Sequence, residues 1–209
     1  MFEVILIAVL ATPLVAVLFY VGAMLLVLPV TGESIFRFTD RVLLDEILAL
    51  VPMQPGQRFY DLGCGEGRVL IAARQKYGVQ AIGYEVNVCA YLYTRLNSWW
   101  HGGSVEVRFQ NFMHADLSDA DVIYCYQASG AIQQLRDKFT RELKPGAIVI
   151  SNTYTIERWL APTVVTLSHG IITRNIYLYE VPSSHSFSHS AAAGTPLGTP
   201  IPREVQGHS

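Results

Sequence analysis

Apolar and polar positions divide the chain into three stretches of different character. From Val4 to Val30 no charged residue interrupts a run dominated by Leu, Val, Ile and Ala. At about 27 residues and roughly 1.5 Å each, the run exceeds the roughly 30 Å hydrocarbon core of a bilayer. Hydrophobicity on every side argues against a helix buried in a domain this small. A signal peptide would show a basic start, a shorter apolar core and a small-residue cleavage site. Pro13 kinks such a helix without forbidding insertion. A single transmembrane anchor over residues 1–30 is therefore expected. No Lys or Arg precedes it, whereas Arg37 and Arg41 follow closely. The positive-inside rule then puts the C-terminal part on the cytoplasmic face, or in the matrix if the membrane is mitochondrial.

The middle stretch, residues 31–181, changes period. Thr31 to Thr39 is a short linker, and from Asp40 to Leu50 apolar residues recur at helical spacing until Pro52 and Pro55-Gly56 end the helix. Strand and helix then alternate: a strand to Leu62, a helix from Gly67 to Tyr77, a strand Ala81 to Glu85 and a helix Val88 to Trp100. Strands Val105 to Phe109 and Val122 to Tyr126 follow, then a helix Ile132 to Leu143 and a strand Ala147 to Ser151. Repeated βα units predict an α/β, Rossmann-like fold, a parallel sheet with helices on both faces. Thr163 to Leu167 and Ile172 to Glu180 read as two further strands with no helix between them. In the last stretch, 182–209, Ser, His, Ala, Gly, Thr and Pro dominate, and a disordered tail is expected.

Composition sharpens this only in places. The 209 residues are 51% hydrophobic and 15% charged with a net charge of −2, and the mean hydropathy is +0.29. No basic cluster stands out, so a nucleic-acid partner is not expected. Cys64, Cys89 and Cys125 are odd in number and scattered, which suits a reducing compartment. The histidines show no metal-ligand spacing, and no metal is expected.

The chemistry concentrates in Phe59-Tyr60-Asp61-Leu62-Gly63-Cys64-Gly65-Glu66-Gly67-Arg68. A strand runs into an acid, three glycines alternate, and a helix begins: the layout in which backbone closely approaches a nucleotide-like ligand. A dinucleotide fingerprint needs its third glycine where Arg68 stands, and a P-loop needs Gly-Lys-Ser/Thr, which is absent. Asp61 just ahead of the turn would repel a pyrophosphate and attract a cation. S-adenosylmethionine (SAM) has no phosphate and carries an ammonium and a sulfonium. Ala81-Ile82-Gly83-Tyr84-Glu85 ends in a second acid, where Rossmann-like sites bind ribose hydroxyls.

The pattern resembles motif I of the class I SAM-dependent methyltransferases. That resemblance implies a terminal antiparallel strand pair and SAM as cofactor. It also implies an adenine contact at the end of the third strand, where Asn111 and Phe112 stand; Asn departs from the common Asp. Cofactor contacts are thereby expected from Tyr60, Asp61, Gly63, Cys64, Gly65, Gly67, Glu85, Asn111 and Phe112. Cys64 also suits a small side chain filling a tight turn.

With the apolar N-terminus, Gly83-Tyr84-Glu85-Val86-Asn87, Trp99-Trp100, Arg141-Glu142-Leu143-Lys144-Pro145-Gly146 and Trp159, the chain looks like a narrower group. These are the small membrane-anchored protein-lysine methyltransferases that modify the ATP synthase c subunit and the adenine nucleotide carrier. Lysine methylation of an integral membrane protein, with the bilayer as a second partner, is what this implies. Ser34 to Thr39 lacks that family's prolines, and Tyr124-Cys125-Tyr126-Gln127 lacks its usual strand end, which leaves the acceptor open. A quinone or lipid acceptor, or a SAM-binding subunit without catalysis, are the alternatives.

Tyr126 and Tyr154 close adjacent strands at the rim where open α/β sheets bind ligands. They are the candidate catalytic residues, as aromatic walls for a cationic amine; half-buried strand tyrosines are the plainer reading. Tyr124 shares the Tyr126 face by period two. Glu66 and Glu157 are either proton acceptors or solvated carboxylates.

Overall fold

The structure, a computed structural model, describes residues 9, 11–22, 39–102 and 105–182. Residues 11–22 are helical (α1), and 11–21 are exposed. Among the described residues no helix is long and apolar enough to cross a membrane. The rest of the anchor expected over Val4–Val30 lies outside the described residues, as do the linker 31–38 and the tail from 183.

The domain follows the alternation read from the sequence. α2 (Arg41–Ala49) leads to β1 (Arg58–Leu62), α3 (Arg68–Tyr77), β2 (Gln80–Glu85), α4 (Val88–Trp100) and β3 (Glu106–Phe109). A 3-10 turn (Phe112–His114), β4 (Val122–Cys125), α5 (Ser129–Glu142), β5 (Ile148–Asn152), β6 (Thr163–His169) and β7 (Ile172–Glu180) complete it. The 3-10 turn was not anticipated, because three residues carry no periodicity. α5 begins earlier than its first periodic apolar residue, Ile132.

The sheet order is β3-β2-β1-β4-β5-β7-β6. β1 to β5 are parallel, and β7 enters antiparallel between β5 and β6. The β6–β7 hairpin turns at Gly170, whose φ of +59° lies in the left-handed region that glycine enters without steric cost.

Two apolar layers cover the sheet, and the strands feed them alternately. Phe59, Val122, Tyr124 and Ile150 point into one layer with Leu43, Ile47 and Leu48 of α2 and Val69, Leu70 and Ala73 of α3. Tyr60, Leu62, Ile123, Cys125 and Val149 point into the other with Ile132, Leu135 and Phe139 of α5. Period two along each strand produces this split. Each buried Leu, Ile or Phe removes enough apolar surface to contribute about 1.5–3 kcal/mol. Strand order reverses between β1 and β4, so a crevice opens beyond their C-terminal ends.

Candidate functional site

That crevice is a cleft of about 320 Å³. Its floor is Asp61, Gly63, Cys64 and Gly65; Glu66, Arg68 and Val69 form one wall, and Thr39, Tyr124 and Tyr126 the other. The glycine turn is fastened from three directions. The N–H groups of Gly63 and Cys64 donate to the Tyr84 carbonyl at 2.9 and 3.0 Å, tying the turn to β2. The Gly65 N–H donates to Glu85 at 2.9 Å. From α4, the Thr94 hydroxyl donates to the Gly65 carbonyl and the Asn97 amide donates to the Glu66 carbonyl.

The glycines do different work. A Cβ on Gly67 (φ +74°) would lie 2.3 Å from the Thr94 methyl, so Gly67 lets α4 approach. A Cβ on Gly65 (φ +53°) would meet nothing within 4 Å and would project into open space. Gly83 admits Cys64: a Cβ there would lie 2.7 Å from the Cys64 sulfur. The Cys64 thiol is buried, and burial pushes its pKa well above the ordinary value, which argues against a nucleophile.

Asp61 and Glu85 are buried at the ends of β1 and β2, 3% and 9% exposed. Burial first, and the neighbouring Glu85 second, push the Asp61 carboxyl from 3.8 up to about 8. No ion pair among the described residues involves Asp61. Glu85 is held rigidly, accepting from the Val86 and Asn87 N–H groups at 2.8 Å each as well as from Gly65. Two buried carboxyls beside an open glycine turn, with the wall cation Arg68 paired to Glu66, fit a cationic nucleoside such as SAM. Asp61 lines the cleft, Glu85 stands behind the turn bonded to Gly65, and the Gly65 position is open.

Not every residue singled out in the sequence reaches this cleft. Asp61, Gly63, Cys64, Gly65 and Tyr126 line it, while Gly67 and Glu85 support its turn. Tyr60 points to the opposite layer, stacked on Tyr84 with ring centroids 5.9 Å apart, and donates to Asp119 at 2.7 Å. Burial is the first cause pushing its phenol to about 12. Asn111 lies past β3, its side-chain oxygen accepting from the Met113 N–H at 2.9 Å, and Phe112 packs on the α5-side layer. Tyr154 also packs on that layer, whereas Tyr126 packs on the other, so the two rim tyrosines do not share a face. Glu66 pairs with Arg68 at the cleft wall, and Glu157 is exposed.

Tyr124, expected on the Tyr126 face, is joined at the acceptor wall by side chains that the sequence did not single out. The Tyr124 hydroxyl bonds to the Thr39 hydroxyl at 2.6 Å and accepts from the Asn152 amide at 2.8 Å. Burial raises the Tyr124 pKa, so the phenol stays neutral. Thr153 sits at φ +73°, a strained setting for a β-branched residue, and its hydroxyl donates to Asn152. Gln127 reaches back to the Leu62 carbonyl and covers Gly63. Among the described residues no group of three or more His, Cys, Asp or Glu is arranged to hold a metal.

Comparison with known proteins agrees with this geometry. The family described as the ANTKMT methyltransferase domain matches residues 61–163. A protein-lysine N-methyltransferase of Saccharolobus islandicus (strain REY15A) is 29% identical over 146 residues, 68% of this chain and 91% of that one. An adenine nucleotide translocase lysine N-methyltransferase of Mus musculus is 32% identical over 142 residues, 67% of this chain but 60% of its own length. The chain thus spans nearly all of the archaeal relative and less than two thirds of the mouse one. A crystal structure of an RNA methyltransferase from Salinibacter ruber with S-adenosyl-L-homocysteine matches with a TM-score of 0.65 and 28% identity, covering 70% of this chain and 94% of that one.

Proposed function

We propose, from a chain that belongs to the SAM-dependent protein-lysine N-methyltransferase family, that it methylates the side-chain amine of a lysine on a membrane protein while anchored beside it. The observation that carries the reading is the buried Asp61–Glu85 pair at the open glycine turn, bordered by the Tyr124–Tyr126 wall. The mouse relative, whose name gives adenine nucleotide translocase as its target, and the charge-free run Val4–Val30 support the membrane part. The domain would then lie on the cytoplasmic or matrix face, as Arg37 and Arg41 indicate.

When bound, SAM would supply a methyl carbon made electrophilic by its sulfonium, with S-adenosylhomocysteine as the leaving group for a neutral amine. The chain's own residues bind, orient and exclude water. Asp61 would offset the ligand's charge, and the hydrogen-bonded Glu85 would hold its ribose end. Tyr126, with the phenol of Tyr124 held by Thr39 and Asn152, walls the approach of the amine. An aromatic face holds a cationic amine with about 0.5–2 kcal/mol, and alignment lowers the barrier further. The incoming lysine must shed its proton before attack; Glu66, paired with Arg68 at the cleft wall, is a candidate acceptor.

Incubation of membranes with SAM labelled on the methyl group tests this reading. Label in protein, lost when acceptor lysines become arginine, is expected. Label only in the lipid extract or in RNA would replace the acceptor, and no label anywhere would leave a SAM-binding subunit. Deleting Met1 to Val30 should leave SAM affinity intact and reduce methylation of an embedded acceptor, since confinement raises effective concentration without adding contacts. Loss of SAM affinity in that truncation would make the segment part of the fold.

A further inference from the structure

α4 is built inside out. Its buried residues are Ala90, Thr94 and Ser98, small or hydroxylated, while Leu92, Tyr93, Leu96, Trp99 and Trp100 are 54–78% exposed. The small inner face is required: Thr94 reaches the Gly65 carbonyl, and its methyl lies where a side chain on Gly67 would be. Nothing in the domain requires the large outer face. Phe109, 57% exposed, extends the patch, its ring 5.4 Å from that of Tyr91. Exposed apolar side chains in such a contiguous set mark an interaction surface.

We infer that the outer face of α4 lies in the bilayer interface, with Leu92, Leu96, Trp99 and Trp100 among the lipid headgroups and upper acyl chains. Charge and composition select the bilayer as occupant. From Val86 to Val105 the single charged residue is Arg95, so the face has no acid and one cation to meet lipid phosphates. Two tryptophans and a tyrosine with accessible polar tips have the amphipathic form enriched at membrane–water boundaries. A helix with an apolar face of this kind binds in the interface plane. The inference rests on the proposed anchoring for the nearness of a membrane. It adds that the domain lies down on that membrane, with the helix that fastens the glycine turn at its base.

The full chain carrying Trp159→Phe leaves Trp99 and Trp100 as its emitters. Reconstituted into phosphatidylcholine–phosphatidylglycerol vesicles, it should show emission shifted to the blue and quenched at least twofold by lipids spin-labelled near the headgroup. Leu96→Asp/Trp100→Asp in the full chain should abolish most of that quenching with SAM affinity within twofold of the parent. Sedimentation with vesicles without quenching, and with iodide still reaching the tryptophans, leaves the anchor standing and overturns the α4 inference. Protection of the tryptophans without lipid quenching, together with a concentration-dependent dimer that the double variant dissolves, overturns it in favour of a second copy. Failure to bind SAM with quenching intact would instead remove the methyltransferase reading and leave this one.

Discussion

The two sides of the cleft are built by opposite means. The cofactor side comes from one continuous run, Asp61 to Asn87, in which a strand, a turn, a helix and a second strand bring Asp61, Gly65 and Glu85 together through backbone hydrogen bonds. The acceptor side is assembled from Thr39, the strand end Tyr124–Tyr126 and Asn152, and the Tyr124 phenol joins the distant Thr39 and Asn152. Backbone geometry tolerates side-chain change except where space is required, whereas a side-chain chain of bonds fails at any member. Substitutions should therefore act on the cofactor side through SAM affinity and on the acceptor side through turnover.

Gly65→Val should have the largest effect. Its side chain would project into the open cleft from a backbone at φ +53°, where a β-branched residue is strained as well. SAM affinity should fall by more than about 100-fold in isothermal titration with the circular dichroism of a folded domain. Wild-type affinity would place the ligand elsewhere.

Asp61→Asn should come next, losing SAM affinity by about 10- to 100-fold, as expected for removing a buried charge partner. The same carboxyl sets a pH dependence whose sign is fixed. Asp61 keeps its proton to about pH 8 in the fold but only to 3.8 ordinarily, so the folded apoprotein binds the extra proton between those values. Its stability should fall as pH rises from about 4 to 8, by at most a few kcal/mol for this group. Thermal melts of the apoprotein should flatten across that window in Asp61→Asn, and a slope unchanged from wild type would assign the dependence to other groups.

Glu85→Gln should weaken SAM by about tenfold, the 1.5 kcal/mol end of a charged hydrogen bond. The amide oxygen can still accept from Val86 and Asn87, but the amide NH2 then faces the Gly65 N–H, so this tie to the turn is lost. An unchanged dissociation constant would show that neither the Glu85 charge nor its bond to Gly65 contributes to SAM binding.

These three residues were legible in the sequence because they belong to one local pattern, and the βα alternation gave the sheet for the same reason. Tyr60 was misleading because motif position says nothing about which face of β1 a side chain takes; period two sends it away from Asp61. Tyr154 follows the strained Thr153, and no periodicity predicts where a residue points after a positive φ. Thr39, Gln127 and Asn152 were invisible for a different reason: each acts through a contact spanning 28 to 85 residues. The outer face of α4 was concealed by composition, since large apolar side chains are ordinarily the buried ones, yet this helix buries Ala90, Thr94 and Ser98.

The smallest effect is expected from Tyr124→Phe, and it probes the division most closely. The ring stays in its apolar layer, so packing is retained, but the hydroxyl that joins Thr39 to Asn152 is lost. Two buried polar groups then lack their shared partner, at about 1–3 kcal/mol of stability. Asn152 precedes the strained Thr153, so the rim from β5 should loosen and the amine should be held less well. Turnover should drop about three- to tenfold, with SAM affinity within twofold because the Gly65–Glu85 bond and the Asp61 carboxyl are untouched. Thr39→Val should repeat the result more weakly, since Asn152 keeps its bond to the phenol. A tenfold loss of SAM affinity with unchanged turnover would show that Tyr124 supports Asp61, its register partner on β1, and that the cleft works as one unit.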